Sequence, residues 1–354
     1  MKVFVTGATG FVGSRLVPAL LSAGHEVTVL TRDATRYGGP PDVRVVEGDL
    51  VSSGPFRLVA PDDGDEREDE DGVPSETPRE GTLGEVLSPL GIDAAYYLVH
   101  SMGTGTDFEA RDRTAARTFT RGLSEAGAER VIYLGGLGAE GDRLSPHLQS
   151  RREVERILGE GTAALTTLRA AIVIGEGSAS FELIRQLSSR LPVMVTPRWV
   201  ETPCQPVAID DVVAYLVGVL DVPETVGEMY EVGGPEVMTY REIMRRTGRQ
   251  MGQEPYIVSV PVLTPRLSAY WLDFVTDVPR EVARPLIEGL KNPVVVSDTR
   301  IQGLVEVDHT PFDVAVARAL GREPESDRTL TVEVREPADD RLEPGETEAG
   351  PGVQ

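Results

Sequence analysis

Cysteine, lysine and histidine are all scarce in this chain, and each scarcity excludes something. One residue in 354, Cys204, is a cysteine. That excludes an intramolecular disulfide framework and any cysteine-rich metal centre, and makes a reducing, cytoplasmic setting the expectation. Lysine occurs twice, at Lys2 and Lys291, beside 33 arginines. The four histidines, His25, His100, His147 and His309, share no ligand spacing, so no metal is expected. Long apolar runs are missing as well. The longest, over 212–220, falls far short of the roughly 20 residues that a membrane-spanning helix needs. The first residues lead into a strand and a glycine turn rather than a secretory leader.

Acid is what the chain has in excess: 57 Asp and Glu against 35 Lys and Arg, a net charge of −22. Nucleic acid binding needs clustered cations, so no nucleic acid partner is expected. The excess is local. Residues 60–82 hold ten acids and two arginines, and residues 323–354 hold ten acids and three arginines. Both are poor in apolar residues and rich in proline and glycine. They read as a disordered acidic insertion and a disordered acidic tail, because neither can bury enough surface to order itself. Acid excess with lysine depletion fits a salt-adapted, halophilic proteome, or codon bias combined with two solvated segments.

Elsewhere strand and helix signals alternate. β-rich runs at 3–6, 26–31, 43–46, 94–99, 130–134 and 165–174 are separated by helical spacing over 11–23, 107–126 and 146–158, and glycines end several elements. Such alternation predicts βαβ units and a parallel sheet. The fold class is therefore α/β: a doubly wound Rossmann-type parallel sheet over 1–175, with a smaller C-terminal α/β substrate part over 176–322. Helices are expected at 181–190, 210–220 and 239–251, the last with Thr239 as N-cap and Glu242 at the capping-box position. Asp210 and Asp211 read as N-capping residues.

Gly7-Ala8-Thr9-Gly10-Phe11-Val12-Gly13 directly follows the first strand and opens the first helix. In that context a glycine motif cradles a diphosphate. Gly7 permits the turn, Gly10 lets backbone N–H groups approach, and Gly13 permits close packing of helix on strand. At the end of the second strand an acid would bind the ribose hydroxyls of NAD, whereas an arginine suits a 2′-phosphate. The sequence has Arg32, with Arg36 four residues on, which favours NADP(H) over NAD(H). A surface Arg32 paired with Asp33 is the plainer alternative. Asp49 and Leu50, ending the third strand, are placed at the adenine; a turn-forming Asp49 fits the spacing equally well.

Residues 7–13 together with Gly48-Asp49-Leu50 resemble the extended and atypical short-chain dehydrogenase/reductases. The stretches Tyr96-Tyr97-Leu98-Val99-His100-Ser101-Met102-Gly103, Thr196-Pro197-Arg198-Trp199-Val200 and Gly233-Gly234-Pro235-Glu236 resemble a narrower branch, as does the run over 284–291. That branch is the YbjT-like, NmrA-related NAD(P)H-binding proteins, which are also similar to the nucleotide-binding accessory subunit of respiratory complex I. Val99 is placed at the dinucleotide, and His100, which follows the fourth strand at the carboxyl edge where open α/β sheets bind ligands, lines the nicotinamide or is a packed histidine bonded to backbone. The resemblance implies a Tyr-x-x-x-Lys pair on the helix after the fifth strand. The sequence departs there. Gly135-Gly136 stands in place of the usual Ser or Thr, and His147 and Arg151 stand at the spacing of the Tyr and Lys. His147 is a candidate proton donor and Arg151 a candidate cofactor clamp, or the two are a surface pair on one helix face.

Three functions stay open at this stage. One is an NAD(P)H-dependent reductase of a small apolar carbonyl or quinone. Another is a non-catalytic NADP(H)-binding sensor or assembly subunit, associated with a respiratory complex or peripherally with a membrane. The third, weakened by the missing tyrosine, is a nucleotide-sugar epimerase or dehydratase. The apolar, aromatic segment 255–278 is a substrate lid, a docking face or ordinary core.

Overall fold

In the computed structural model, residues 1–59, 80–100, 107–138, 146–190, 192–260, 292–322 and 333–334 are described. Their elements run β1 (Lys2–Thr6), α1 (Gly13–Ser22), β2 (Glu26–Thr31), β3 (Arg44–Glu47), β4 (Phe56–Val59), β5 (Glu80–Gly81), α2 (Leu83–Leu87), β6 (Ala94–Tyr97), α3 (Phe108–Ala126), β7 (Arg130–Gly136), α4 (Pro146–Leu158), β8 (Ala164–Ala170), α5 (Ala179–Arg190), α6 (Ile209–Asp221) and α7 (Tyr240–Gln250). These are joined by a further strand, Met229–Val232, and a last helix, Phe312–Ala319.

The main sheet has nine strands in the order Met229–Val232, β8, β7, β6, β1, β2, β3, β4, β5. From Met229–Val232 to β3 every pairing is parallel; β4 and β5 add an antiparallel edge. A parallel sheet buried on both faces needs strands that are apolar throughout. In β1, Val3 and Val5 enter one core while Phe4 enters the other. The first core holds Leu16, Val17 and Leu20 of α1 against Val212, Leu216 and Val219 of α6. The second holds Leu87 of α2, Phe119 and Leu123 of α3, and Val154 and Ile157 of α4. Phe119 stacks on Phe4 at 6.3 Å between ring centroids and meets Tyr97 edge-on at 4.9 Å. The sheet is thus wound on both sides, the α/β doubly wound Rossmann-type arrangement.

A third core lies beyond the carboxyl edge of the sheet. It gathers Phe181 and Leu187 of α5, Met194, Val200, Ile243 and Met244 of α7, and Phe312. Thr239 caps α7 in a reciprocal capping box with Glu242, as its sequence predicts. Val193–Pro197 pairs in parallel with Tyr256–Val260 at the margin of this part.

The structure departs from the sequence reading at several places. The chain crosses the expected division at residue 175 twice, since α6 and Met229–Val232 return to the main sheet and its first core. Of the acidic insertion, residues 60–79 lie outside the described residues, but 80–82 are ordered. Glu80 and Gly81 form β5 against β4, and Thr82 caps α2 through a capping box with Glu85. Most of the acidic tail lies outside the described residues too, yet Glu333 and Val334 pair antiparallel with Val305 and Glu306. The aromatic stretch over 261–291, and with it most of the expected lid or docking face, is outside the described residues. Asp210 and Asp211 lie in the first turn of α6 rather than at its N-cap, which is Ala208. Asp211 accepts from the amide and hydroxyl of Thr310, and Asp210 pairs with Arg318, so both hold the C-terminal segment to the helix.

Candidate functional site

The strand order reverses between β1 and β6: the chain proceeds from β1 towards β2 and β3, then returns to the other side of β1. The loops leaving the carboxyl ends of these two strands therefore diverge, and the gap between them is where open α/β sheets bind ligands. Thr6 pins the gap by donating its hydroxyl to the Tyr96 carbonyl at 3.0 Å. Gly7 turns the chain with φ +72°, and a Cβ there would lie 2.8 Å from the Leu98 carbonyl oxygen. Gly13 brings α1 against that turn so closely that a Cβ would lie 2.2 Å from the Gly7 carbonyl oxygen. The amide of Gly10 closes the loop onto the Gly7 carbonyl at 2.9 Å.

α1 starts with Val12 as N-cap, no side-chain acceptor and no acid in its first turn. The amides of Phe11 and Val12 are left without a backbone acceptor among the described residues. A helix mouth with free amides and a positive dipole end fits a diphosphate. Ala8 is buried and Thr9 exposed at the tip of the loop.

From this mouth a cleft of about 410 Å³ runs along the carboxyl edge of the sheet to the third core. Its near end is made by Gly7, Gly10, Phe11, Val12 and Gly13, its middle by His100, Gly135, Gly136, His147 and Arg151. The far end is apolar, with Leu183, Leu187, Trp199, Tyr240, Met244 and Val294.

In the middle, two helices and a strand end bring three titratable groups into line. His100, after β6, has Nδ1 3.0 Å from Asp112 Oδ2 and Nε2 3.1 Å from His147 Nδ1. Ser150 donates its hydroxyl to the same Asp112 oxygen at 3.1 Å. α3 and α4 are tied together nearby by the bidentate pair Arg113–Glu153. Burial, first, and then the charges of His100 and Arg151 push His147 down to about 3, against an opposing pull from Asp112. His100 is also held below its ordinary value, chiefly by burial; its hydrogen bond to Asp112 opposes this. At neutral pH both rings are neutral, and each is both a donor and an acceptor. Arg151 lies over the Tyr133 ring and donates Nη2 to the Leu134 carbonyl at 2.8 Å. Its Nε is buried and has no hydrogen-bond partner among the described residues. Tyr133 is buried and its phenol is pushed up to about 12, chiefly by burial.

Residues 3–63 match the NAD dependent epimerase/dehydratase family. Over 307 residues the chain is 24% identical to the mitochondrial NADH dehydrogenase [ubiquinone] 1 alpha subcomplex subunit 9 of Arabidopsis thaliana, covering 84% of this chain and 71% of that protein. It is 26% identical to the ceramide reductase of Caulobacter vibrioides, covering 73% of each. The solved UDP-glucuronic acid 4-epimerase of Bacillus cereus, in complex with UDP-glucuronic acid and NAD, superposes with a TM-score of 0.62 at 15% identity, over 91% of this chain and 98% of that one. In sequence and in fold the chain is similar to the short-chain dehydrogenase/reductase superfamily, in its atypical extended form.

The residues singled out from sequence do not all meet. Gly7, Gly10, Phe11, Val12, Gly13, His100, His147 and Arg151 line one cleft. Arg32 and Arg36 do not line it. Both are exposed at the end of β2 and just beyond, and neither guanidinium is bonded among the described residues. Asp33 is engaged instead with the amide and hydroxyl of Thr35, so it does not neutralise Arg32. Asp49 accepts from the Val51 amide at 3.0 Å, the turn-forming arrangement. Leu50 is buried in the second core and Val99 packs against it.

The sequence reading missed Asp112 and Ser150, and it missed the apolar chamber. Asp112 had a signal. It occupies the stripe of α3 that carries Ala115, Ala116, Phe119 and Leu123, and an acid on a buried stripe requires a partner. Ser150 shares a face of α4 with His147, Arg151 and Val154 by the same 3–4 spacing. Trp199 belongs to a stretch noted only for its resemblance to a family branch. Tyr240 and Met244 face the chamber through the packing of α7 on α5, which no local pattern encodes.

Proposed function

We propose that this protein is an NADP(H)-dependent reductase of a small, apolar carbonyl or quinone compound. The observation that carries the reading is the continuity of one cleft: the phosphate-binding loop, the His147 imidazole and an apolar chamber follow one another along it. The loop amides of Phe11 and Val12 bind the diphosphate, Arg32 and Arg36 attract the 2′-phosphate, and Arg151, which lines the middle of the cleft, clamps the ribose. When bound, the reduced nicotinamide supplies the hydride that a carbonyl reduction needs. His147 supplies the matching proton to the substrate oxygen, in the position where the superfamily uses a tyrosine. Leu183, Leu187, Trp199 and Met244 exclude water and hold an apolar body. Among the described residues lining the cleft Arg151 is the only cation, and a nucleotide sugar's diphosphate would call for more than one. A relative that reduces ceramide is in keeping with an apolar substrate.

NADPH oxidation against a panel of quinones and apolar carbonyl compounds, at high salt, tests this. The wild type should turn over at least one class, and His147→Ala should lower kcat about 100-fold or more with NADPH affinity intact. A second reading has its own support, since the Arabidopsis thaliana relative is a subunit of a respiratory complex. Under that reading the chain binds NADP(H) as a structural or regulatory ligand. Micromolar NADPH binding with no turnover on any class would replace the first reading with the second.

A further inference from the structure

Asp112 is 1% exposed on an otherwise apolar stripe of α3. A carboxylate there costs several kcal/mol unless it is fully bonded, and the bonds it makes are specific. Its Oδ2 receives the Ser150 hydroxyl at 3.1 Å and faces His100 Nδ1 at 3.0 Å. A carboxylate only accepts, so Nδ1 of His100 carries a hydrogen. The next contact, His100 Nε2 to His147 Nδ1 at 3.1 Å, joins two nitrogens across one hydrogen, and whichever ring holds it decides the tautomer of the other. His147 Nε2 is then the nitrogen left for the cleft that His147 lines.

We propose that Asp112, His100 and His147 form a proton relay in which Asp112 and His100 charge His147, and His147 Nε2 passes the proton to the substrate oxygen. This rests on the reductase reading given above. In the loaded state His100 carries hydrogens on both nitrogens beside the Asp112 carboxylate, and His147 carries one on Nε2. The His147 Nε2–H bond breaks as the substrate O–H bond forms, and the Nε2 hydrogen of His100 moves to Nδ1 of His147. Afterwards each ring holds a single hydrogen on Nδ1, Asp112 is still a carboxylate, and the site has lost one proton. Water reloads it through Nε2 of His147 by the reverse path.

The arrangement keeps positive charge off His147. An imidazolium there is opposed by burial, by His100 and by Arg151. At His100 the same charge sits against Asp112, although burial and Arg151 oppose it there too. Among the described residues, the charged groups that act on the pair are Asp112 from α3 and Arg151 from α4; the Tyr97 and Tyr133 phenols of the sheet stay neutral, because burial raises their titration well beyond the working range. The loaded state therefore grows as pH falls below 6.5. Asp112, His100 and Ser150 act through His147 and are positioning residues; His147 is the catalytic one.

The relay is tested first without substrate. Imidazole 15N–1H spectra of the full-length protein should show the His100 and His147 rings responding to one shared titration below pH 6.5, with the free-site tautomer protonated on Nδ1 in both. Rings that titrate independently, or an Nε2–H tautomer at His147 above pH 7, overturn the relay whatever the enzyme does. The second test is Asp112→Asn, which keeps the shape and removes the charge. It should lower kcat about 100-fold and abolish the rise in kcat toward low pH, with NADPH affinity within threefold of wild type. Ser150→Ala leaves the carboxylate in place and should lower kcat three- to tenfold without moving the NADPH affinity. Wild-type turnover and pH profile in Asp112→Asn would refute the relay while leaving the reductase reading intact. A protein that reduces nothing yet shows the coupled titration would do the opposite.

Discussion

Replacing Gly13 by alanine places a methyl group where the glycine loop leaves no room. Its Cβ would lie 2.2 Å from the Gly7 carbonyl oxygen and 2.8 Å from Ala8 Cα. Ordinary carbon contacts lie near 3.5–4.0 Å, so the loop must yield by about 1 Å. Both near neighbours are backbone, which cannot swing aside as a side chain would. Overpacking of this kind costs about 1–3 kcal/mol of stability, which a chain of this size tolerates. The larger effect falls on binding. The same shift carries the Phe11 and Val12 amides away from the diphosphate. Two hydrogen bonds to a charged group contribute about 3–6 kcal/mol together. At 1.4 kcal/mol per factor of ten, NADPH affinity should fall by between about 10² and 10⁴. Titration of nucleotide fluorescence, with a thermal melt alongside, separates this from unfolding. Gly303→Ala is the control: that glycine is exposed, has no atom within 4 Å of its added Cβ, and has no positive φ. If folded Gly13→Ala bound NADPH within threefold of wild type, the helix mouth would not be the diphosphate site.

Two further outcomes follow from the electrostatics. Arg32→Ala should weaken NADPH binding tenfold or more and leave NADH binding nearly unchanged, because only NADPH has the 2′-phosphate; equal losses for both in a parallel titration would remove the phosphate clamp. His147 titrates at about 3 when folded and near 6.5 when unfolded, so the unfolded chain binds more protons between those values. Stability must therefore fall as pH drops through that window, by about 2 kcal/mol between pH 7 and pH 5 from this group. Urea midpoints of wild type and His147→Asn at the two pH values check this. The variant should lose less, and an equal loss in both would show that His147 is not the buried neutral ring described.

Much of the architecture was legible because parallel strands buried on both faces leave a strong local trace. β2 begins and ends where its Val-rich alternation does, α4 matches its expected bounds, and the Thr239–Glu242 capping box forms as its spacing predicts. What escaped has weak local signals. β4 has four residues and β5 two, beside an acidic stretch whose composition argues against structure. Their order comes from the ladder offered by β3, a partner that no window around residue 80 contains. The Asp210 and Asp211 carboxylates were read as caps because capping is local, whereas their actual partners, Thr310 and Arg318, lie about a hundred residues away.

The same division runs through the candidate site. The glycine loop is contiguous, and its geometry follows from three glycines and the strand and helix that flank them, so a short stretch of sequence was enough to mark it. His147 and Arg151 could be picked out by helical spacing, but what surrounds them could not. Asp112, His100 and His147 come from the second turn of α3, the loop after β6 and the first turn of α4. Only the packing of α3 and α4 over the carboxyl edge of β6 and β7 places their polar atoms about 3 Å apart. Hydrogen bonds have a reach of about 3 Å and leave no trace in the intervening sequence; the glycine turn proposed to hold a phosphate was therefore written in the chain, and the line of Asp112, His100 and His147 exists only once the chain is folded.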